Sequence, residues 1–123
     1  MLGTAAMIML DDTTCPVHAM SVISRFYDHE SCGQCSQCRE GTHWLHQIFA
    51  RIESGQGRLE DIDLLSSLAH GMAPGKTICA LSDAAAIPTH AIVNHFRGDL
   101  EAHVRAGGCP HRGAASELAE VGA

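Results

Sequence analysis

Apolar positions recur at helical spacing through most of the chain. Val17, Met20, Val22–Ile23 and Phe26–Tyr27 stand three and four residues apart. They predict an amphipathic helix from about residue 13 to residue 29, with Thr13 or Thr14 as its cap and Pro16 near its first turn. Leu45, Ile48, Phe49 and Ile52 fall at i, i+3, i+4 and i+7 and predict a second helix over 39–54, stopped by Gly55. Leu59, Ile62, Leu65 and Leu68–Ala69 predict a third over 59–71, whose early Glu60, Asp61 and Asp63 suit the positive end of its dipole. After the break at 73–76, Ser82 or Asp83 caps a fourth helix running through Pro88 to about Phe96 and on toward Arg105. Ala6–Leu10 is apolar without helical period and reads as a buried strand. A lone strand cannot satisfy its own backbone groups, so this one reads as the remnant of an upstream domain.

The fold class that follows is all-α: a small four-helix bundle with a short N-terminal strand. Residues 1–12 read as remnant strand or linker, 13–106 as the helical domain, and 107–123 as a flexible, Gly- and Ala-rich tail. A chain of 123 residues suits one domain able to bury about two-thirds of its surface. Aromatics make up only 4% while hydrophobic residues reach 46%, so Ala, Leu, Ile, Val and Met must build the core; Met7, Met9, Met20 and Met72 read as part of it. The net charge is −6 with no basic run, which speaks against nucleic acid as a partner. No apolar run approaches the roughly 20 residues of a membrane span, so no direct membrane insertion is expected. Ala5–Leu10 is too short and lacks the basic flank of a signal peptide.

The cysteines change the picture. Cys32, Cys35 and Cys38 share one seven-residue window, while Cys15, Cys79 and Cys109 stand alone. Such crowding reads as metal chemistry in a reducing compartment rather than as a disulfide framework. Two-residue spacers let one loop wrap three corners of a cube of iron and sulfide, and Gly33 gives the first spacer access to positive φ. Zinc held by four cysteines typically uses two separated pairs, so iron–sulfur leads. A zinc-stabilised interaction module without a redox role is the alternative. Position 42, where the short ferredoxin run has its next cysteine, is Thr, so the fourth ligand comes from afar. Cys15 and Cys109 each precede Pro, as a ferredoxin ligand often does. Cys79 lies just before a predicted helix start, where amide donors support an anionic cluster, and ranks first. Ser31, Gly33, Gln34 and Arg39 surround the ligands, and Arg39 is placed to balance the negative charge. Nine histidines, without a matching carboxylate motif, read chiefly as surface groups.

Three stretches together carry a resemblance: ESCGQCSQCREGT (30–42), KTICALSDAAAIP (76–88) and HFRGDLEAH (95–103). They resemble the C-terminal region of the NADH-binding flavoprotein subunit of respiratory complex I, the NADH:quinone oxidoreductase. MLGTAAMIMLDDTT and GGCP extend the likeness to about residues 1–112. The resemblance implies a small helical bundle whose Cys32, Cys35, Cys38 and Cys79 hold a 4Fe–4S cluster. That cluster takes electrons singly from FMN after FMN accepts a hydride from NADH. The implied partners are the upstream FMN/NADH-binding half and the adjacent iron–sulfur subunits, in a complex peripheral to the cytoplasmic face of the cell membrane. One departure is Gln37, where many members have Pro; ligation is unaffected but the spacer loses a fixed φ.

FMN and NAD are expected only in the full-length parent. There is no G-x-G-x-x-G, and Gly55-Gln56-Gly57 lacks the strand context of a nucleotide loop. The chain is thus expected to be a fragment of an NADH:quinone oxidoreductase with no catalytic residue of its own, unable to oxidise NADH alone. A diaphorase subunit of an NAD-reducing hydrogenase or formate dehydrogenase shares the same window and stands as the other redox reading.

Overall fold

Pro16 pre-sets φ at the first helical position, and the Cys15 sulfur accepts the His18 amide at 3.3 Å; together they start α1 (Pro16–Glu30). The expected caps are engaged elsewhere. The Thr13 and Thr14 hydroxyls both donate to Asp11 Oδ1, at 2.8 and 2.7 Å, which leaves Cys15 as the cap. This computed structural model describes residues 7–111.

α2 (Ser36–Glu53) begins three residues before its expected start, because extended Cys35 turns its carbonyl to the Cys38 and Arg39 amides at 3.1 and 2.9 Å. It buries Leu45, Ile48, Phe49 and Ile52, the face its spacing predicts. Gly55 then adopts φ 81, and a side chain there would run into the backbone of Gly107. Glycine is required here both for the left-handed turn and for that close approach. α3 (Leu59–Met72) starts where the Asp61 carboxylate accepts the Arg58 amide at 2.8 Å, and it buries Ile62, Leu65, Ala69 and Met72.

The expected fourth helix is two: α4 (Leu81–His95) and α5 (Arg97–Ala106). Phe96 breaks the run, and its carbonyl starts α5 by accepting the Asp99 and Leu100 amides at 3.1 and 3.2 Å. Ser82 and Asp83 do not cap α4. The Ser82 hydroxyl donates to the Met72 carbonyl at 2.9 Å, and Asp83 accepts the Gly75 amide at 3.1 Å. Both fasten α4 to the end of α3.

The fold is all-α, with five helices rather than four among the described residues. No strand forms there either. Met7–Leu10 is irregular and exposed, since no neighbouring strand offers it a ladder, and Ala6 lies outside the described residues. Met7 and Met9 are accordingly solvent-facing, whereas Met20 and Met72 are core. Residues 112–123 of the expected tail also lie outside the described residues.

Consecutive helices α1 to α4 run antiparallel, giving the molecule two poles. Asp28 reaches His43 at 3.1 Å and Met72 packs toward Gly41 near one pole. His18 reaches Glu53 at 3.2 Å, Arg51 reaches Asp61, and Arg97 reaches Asp63 at 2.9 Å near the other. Between them Val17, Phe49, Ile52, Ile62, Leu65, Ala86 and Leu100 are fully buried. The loops at residues 31–35 and 73–80 share the first pole, and Cys15, residues 54–58 and α5 share the second.

Candidate metal centres

The cysteine window is divided among three structural settings. Cys32 lies exposed in the short link after α1, Cys35 is half-buried at the cap of α2, and Cys38 is buried in the first turn of that helix. Gly33 sits at φ 79, the positive φ that its spacer position calls for. Arg39 donates to the Gly33 carbonyl at 2.7 Å and to Glu40 at 2.9 Å, fastening the loop to α2. Ser31 Oγ lies 3.5 Å from the Cys38 sulfur, while Gln34 is exposed.

Cys79 belongs to the second loop of the same pole. Its carbonyl accepts the Thr77 hydroxyl at 2.9 Å, which fixes the turn into α4. The neighbouring Ile78 amide donates to Cys35 Sγ at 3.5 Å, across 43 residues of sequence. An amide aimed at a thiol sulfur is what a thiolate ligand needs to spread its charge. Cys32 and Cys35 before α2, Cys38 in its first turn and Cys79 in the second loop offer soft sulfur donors at one pole; with the amide on Cys35 and the cationic Arg39 alongside, this donor chemistry fits an iron–sulfur group.

Cys15 and Cys109 are elsewhere. α1 is 15 residues long and so separates Cys15 from the cysteine loop by about 22 Å. At that far pole Cys15, Glu53, His103 and Cys109 bring one ligand atom each to within 4.8 Å of one another. Burial pushes the Cys15 thiol up to about 11; the His18 amide works against that rise and the neighbouring Cys109 adds to it. Reading the histidines as surface groups misses His103, which is fully buried on α5 three residues after core Leu100. The signal was its i+3 spacing from an apolar residue; Cys109, half-buried against the core, gave only a Cys-Pro pair.

The sequence model of the NADH-ubiquinone oxidoreductase-F iron-sulfur binding region matches residues 18–103. The F subunit of the NADH-quinone oxidoreductase of Mycobacterium bovis is 50% identical over 110 residues, covering 89% of this chain and 24% of that protein. The mitochondrial NADH-ubiquinone oxidoreductase 51 kDa subunit of Neurospora crassa is 52% identical over 104 residues, 85% of this chain and 21% of that protein. The corresponding F subunit of Streptomyces coelicolor is 46% identical over 110 residues, 89% of this chain and 24% of that protein. The chain spans about a quarter of the length of the curated relatives it matches. With its cysteine loop, its distant cysteine and its all-helical frame in place, the chain belongs to the NADH-ubiquinone oxidoreductase-F iron-sulfur binding region family.

Proposed function

We propose that this chain is an electron-transfer unit of an NADH:quinone oxidoreductase, holding a 4Fe–4S cluster on Cys32, Cys35, Cys38 and Cys79. The bound cluster supplies a one-electron carrier that changes charge without making or breaking a bond to substrate. Around it, the chain's own residues set position and field. Arg39 pins the Gly33 turn, so the first two thiols keep their spacing. The Ile78 amide and the first turn of α2 direct positive dipole toward the sulfurs, which favours the more reduced, more negative state. Buried Cys38 and exposed Cys32 and Cys79 give the site one face in protein and one face at the surface.

In this reading the chain relays electrons from NADH-reduced FMN, carried by the rest of the parent protein, to neighbouring iron–sulfur subunits. The FMN and NADH sites, and the placement of the complex at the inner face of the membrane, belong to the larger assembly. Among the described residues no helix is long and apolar enough to cross a membrane. The observation that carries the reading is the Ile78 amide on Cys35, because it joins the loop that carries Cys79 to a cysteine of the window. Cysteine-to-serine variants test it after anaerobic reconstitution. Cys79→Ser is expected to lose its full iron content and the visible absorbance, while Cys15→Ser and Cys109→Ser keep four irons. A Cys79→Ser protein with four irons and an unaltered spectrum overturns the ligand set.

A further inference from the structure

The pole opposite the cysteine loop carries metal-binding side chains that electron transfer does not use. We propose that Cys15, Glu53, His103 and Cys109 form a structural zinc site, separate from the iron–sulfur loop. Their ligand atoms lie within 4.8 Å of one another. Cys15 Sγ is 3.2 Å from His103 Nε2, and His103 Nε2 is 3.6 Å from Glu53 Oε2. Zinc bonds of about 2.0 to 2.3 Å in a tetrahedron give edges of roughly 3.3 to 3.8 Å, so both separations are close to those of one four-coordinate ion. They are too short for a cube of iron and sulfide, whose corner irons hold the thiolates farther apart.

The orientation of the imidazole is an independent observation. His103 Nδ1 lies 2.7 Å from the Asp99 carbonyl, which can only accept, so Nδ1 carries the proton. The Nε2 lone pair is thereby turned toward Cys15 and Glu53. A metal-bound histidine is oriented in the same way, by giving its other N–H to a backbone carbonyl. His18 holds Glu53 Oε1 at 3.2 Å, which leaves Oε2 facing the imidazole.

The donor set selects the ion. Two thiols and an imidazole discriminate against magnesium and calcium and suit zinc. Cys15, Glu53 and His103 are buried, and four protein ligands leave no open position, so the site is structural rather than catalytic. It ties the start of α1, the end of α2, α5 and the turn after α5 into one knot, joining Cys15 and Cys109 across a sequence separation of 94.

The test titrates zinc chloride into the purified, iron-loaded chain and counts bound zinc by mass spectrometry after desalting. One zinc per chain beyond the irons is expected. Cys109→Ser should weaken zinc binding by more than about a hundredfold, at least what the loss of an outer partner costs, while Cys109→His restores it. Unchanged iron content in both variants reports that the fold stands. If Cys109→Ser loses iron as well, cobalt substitution of the parent chain decides: a tetrahedral spectrum with thiolate-to-cobalt charge transfer supports the site. An octahedral cobalt spectrum, no bound zinc, equal zinc binding by Cys109→Ser, or a Cys15–Cys109 disulfide in the reduced preparation each overturns it.

Discussion

Asp61 is a carboxylate almost without solvent, 1% exposed at the start of α3. Burial alone raises its pKa, but the Arg58 amide and the Arg51 guanidinium, the latter bonding it at 3.0 and 2.5 Å, outweigh that and hold it below the usual carboxylate range. A depressed carboxyl contributes stability that is complete above its unfolded pKa of about 3.9 and is lost as pH falls through the lower, folded value. Asp61→Asn is therefore expected to cost about 2 kcal/mol at neutral pH and to flatten the acid limb of the melting profile. Parallel acid limbs for the two proteins would contradict the linkage. The charge of Asp61 and its first-turn position were legible in the sequence. Its fate was not, because Arg51 lies on another helix and only the antiparallel packing of α2 and α3 brings the two together.

At the scale of elements, apolar spacing identifies the buried faces of α2 and α3, while the helix ends depend on partners distant in sequence. Thr14 looks like a cap and is engaged by Asp11; Ser82 looks like the cap of α4 and instead receives the carbonyl end of α3. Cys35 is no standard cap residue, yet its extended backbone starts α2 and draws Cys38 into the helix. Removing each hydroxyl separates these roles. Ser82→Ala strands the buried Met72 carbonyl and should lower stability by about 1 to 2 kcal/mol, whereas Thr14→Ala, on the surface, should change it by less than about 0.5 kcal/mol. Paired thermal melts read the difference. Equal melting temperatures for the two variants would remove Ser82 from the α3–α4 junction. The positive φ at Gly33 is legible because a two-residue spacer imposes it locally; the break at Phe96 is not, because no Pro stands there and Gly98 falls inside α5.

Across the whole molecule, the apolar core lies between the poles, while Cys32 and Cys79 are exposed at one of them. A group bound by both loops of that pole binds only the folded chain and so adds its free energy to folding. The cluster-loaded chain is expected to melt higher and more sharply than the iron-free chain, whose helices persist with looser packing around residues 31–35 and 73–80. Melts of matched samples, followed by far- and near-ultraviolet circular dichroism, check this. Coincident transitions would make the cluster a passenger.

The meeting of Cys15 and Cys109 at one pole has a mechanical consequence. The start of α1 and the turn after α5 meet at a single corner of the helical unit. That corner lies about 22 Å from the sulfur-bearing end, as the length of α1 sets it. A strain applied at that corner reaches the cysteine loops through the length of the helices.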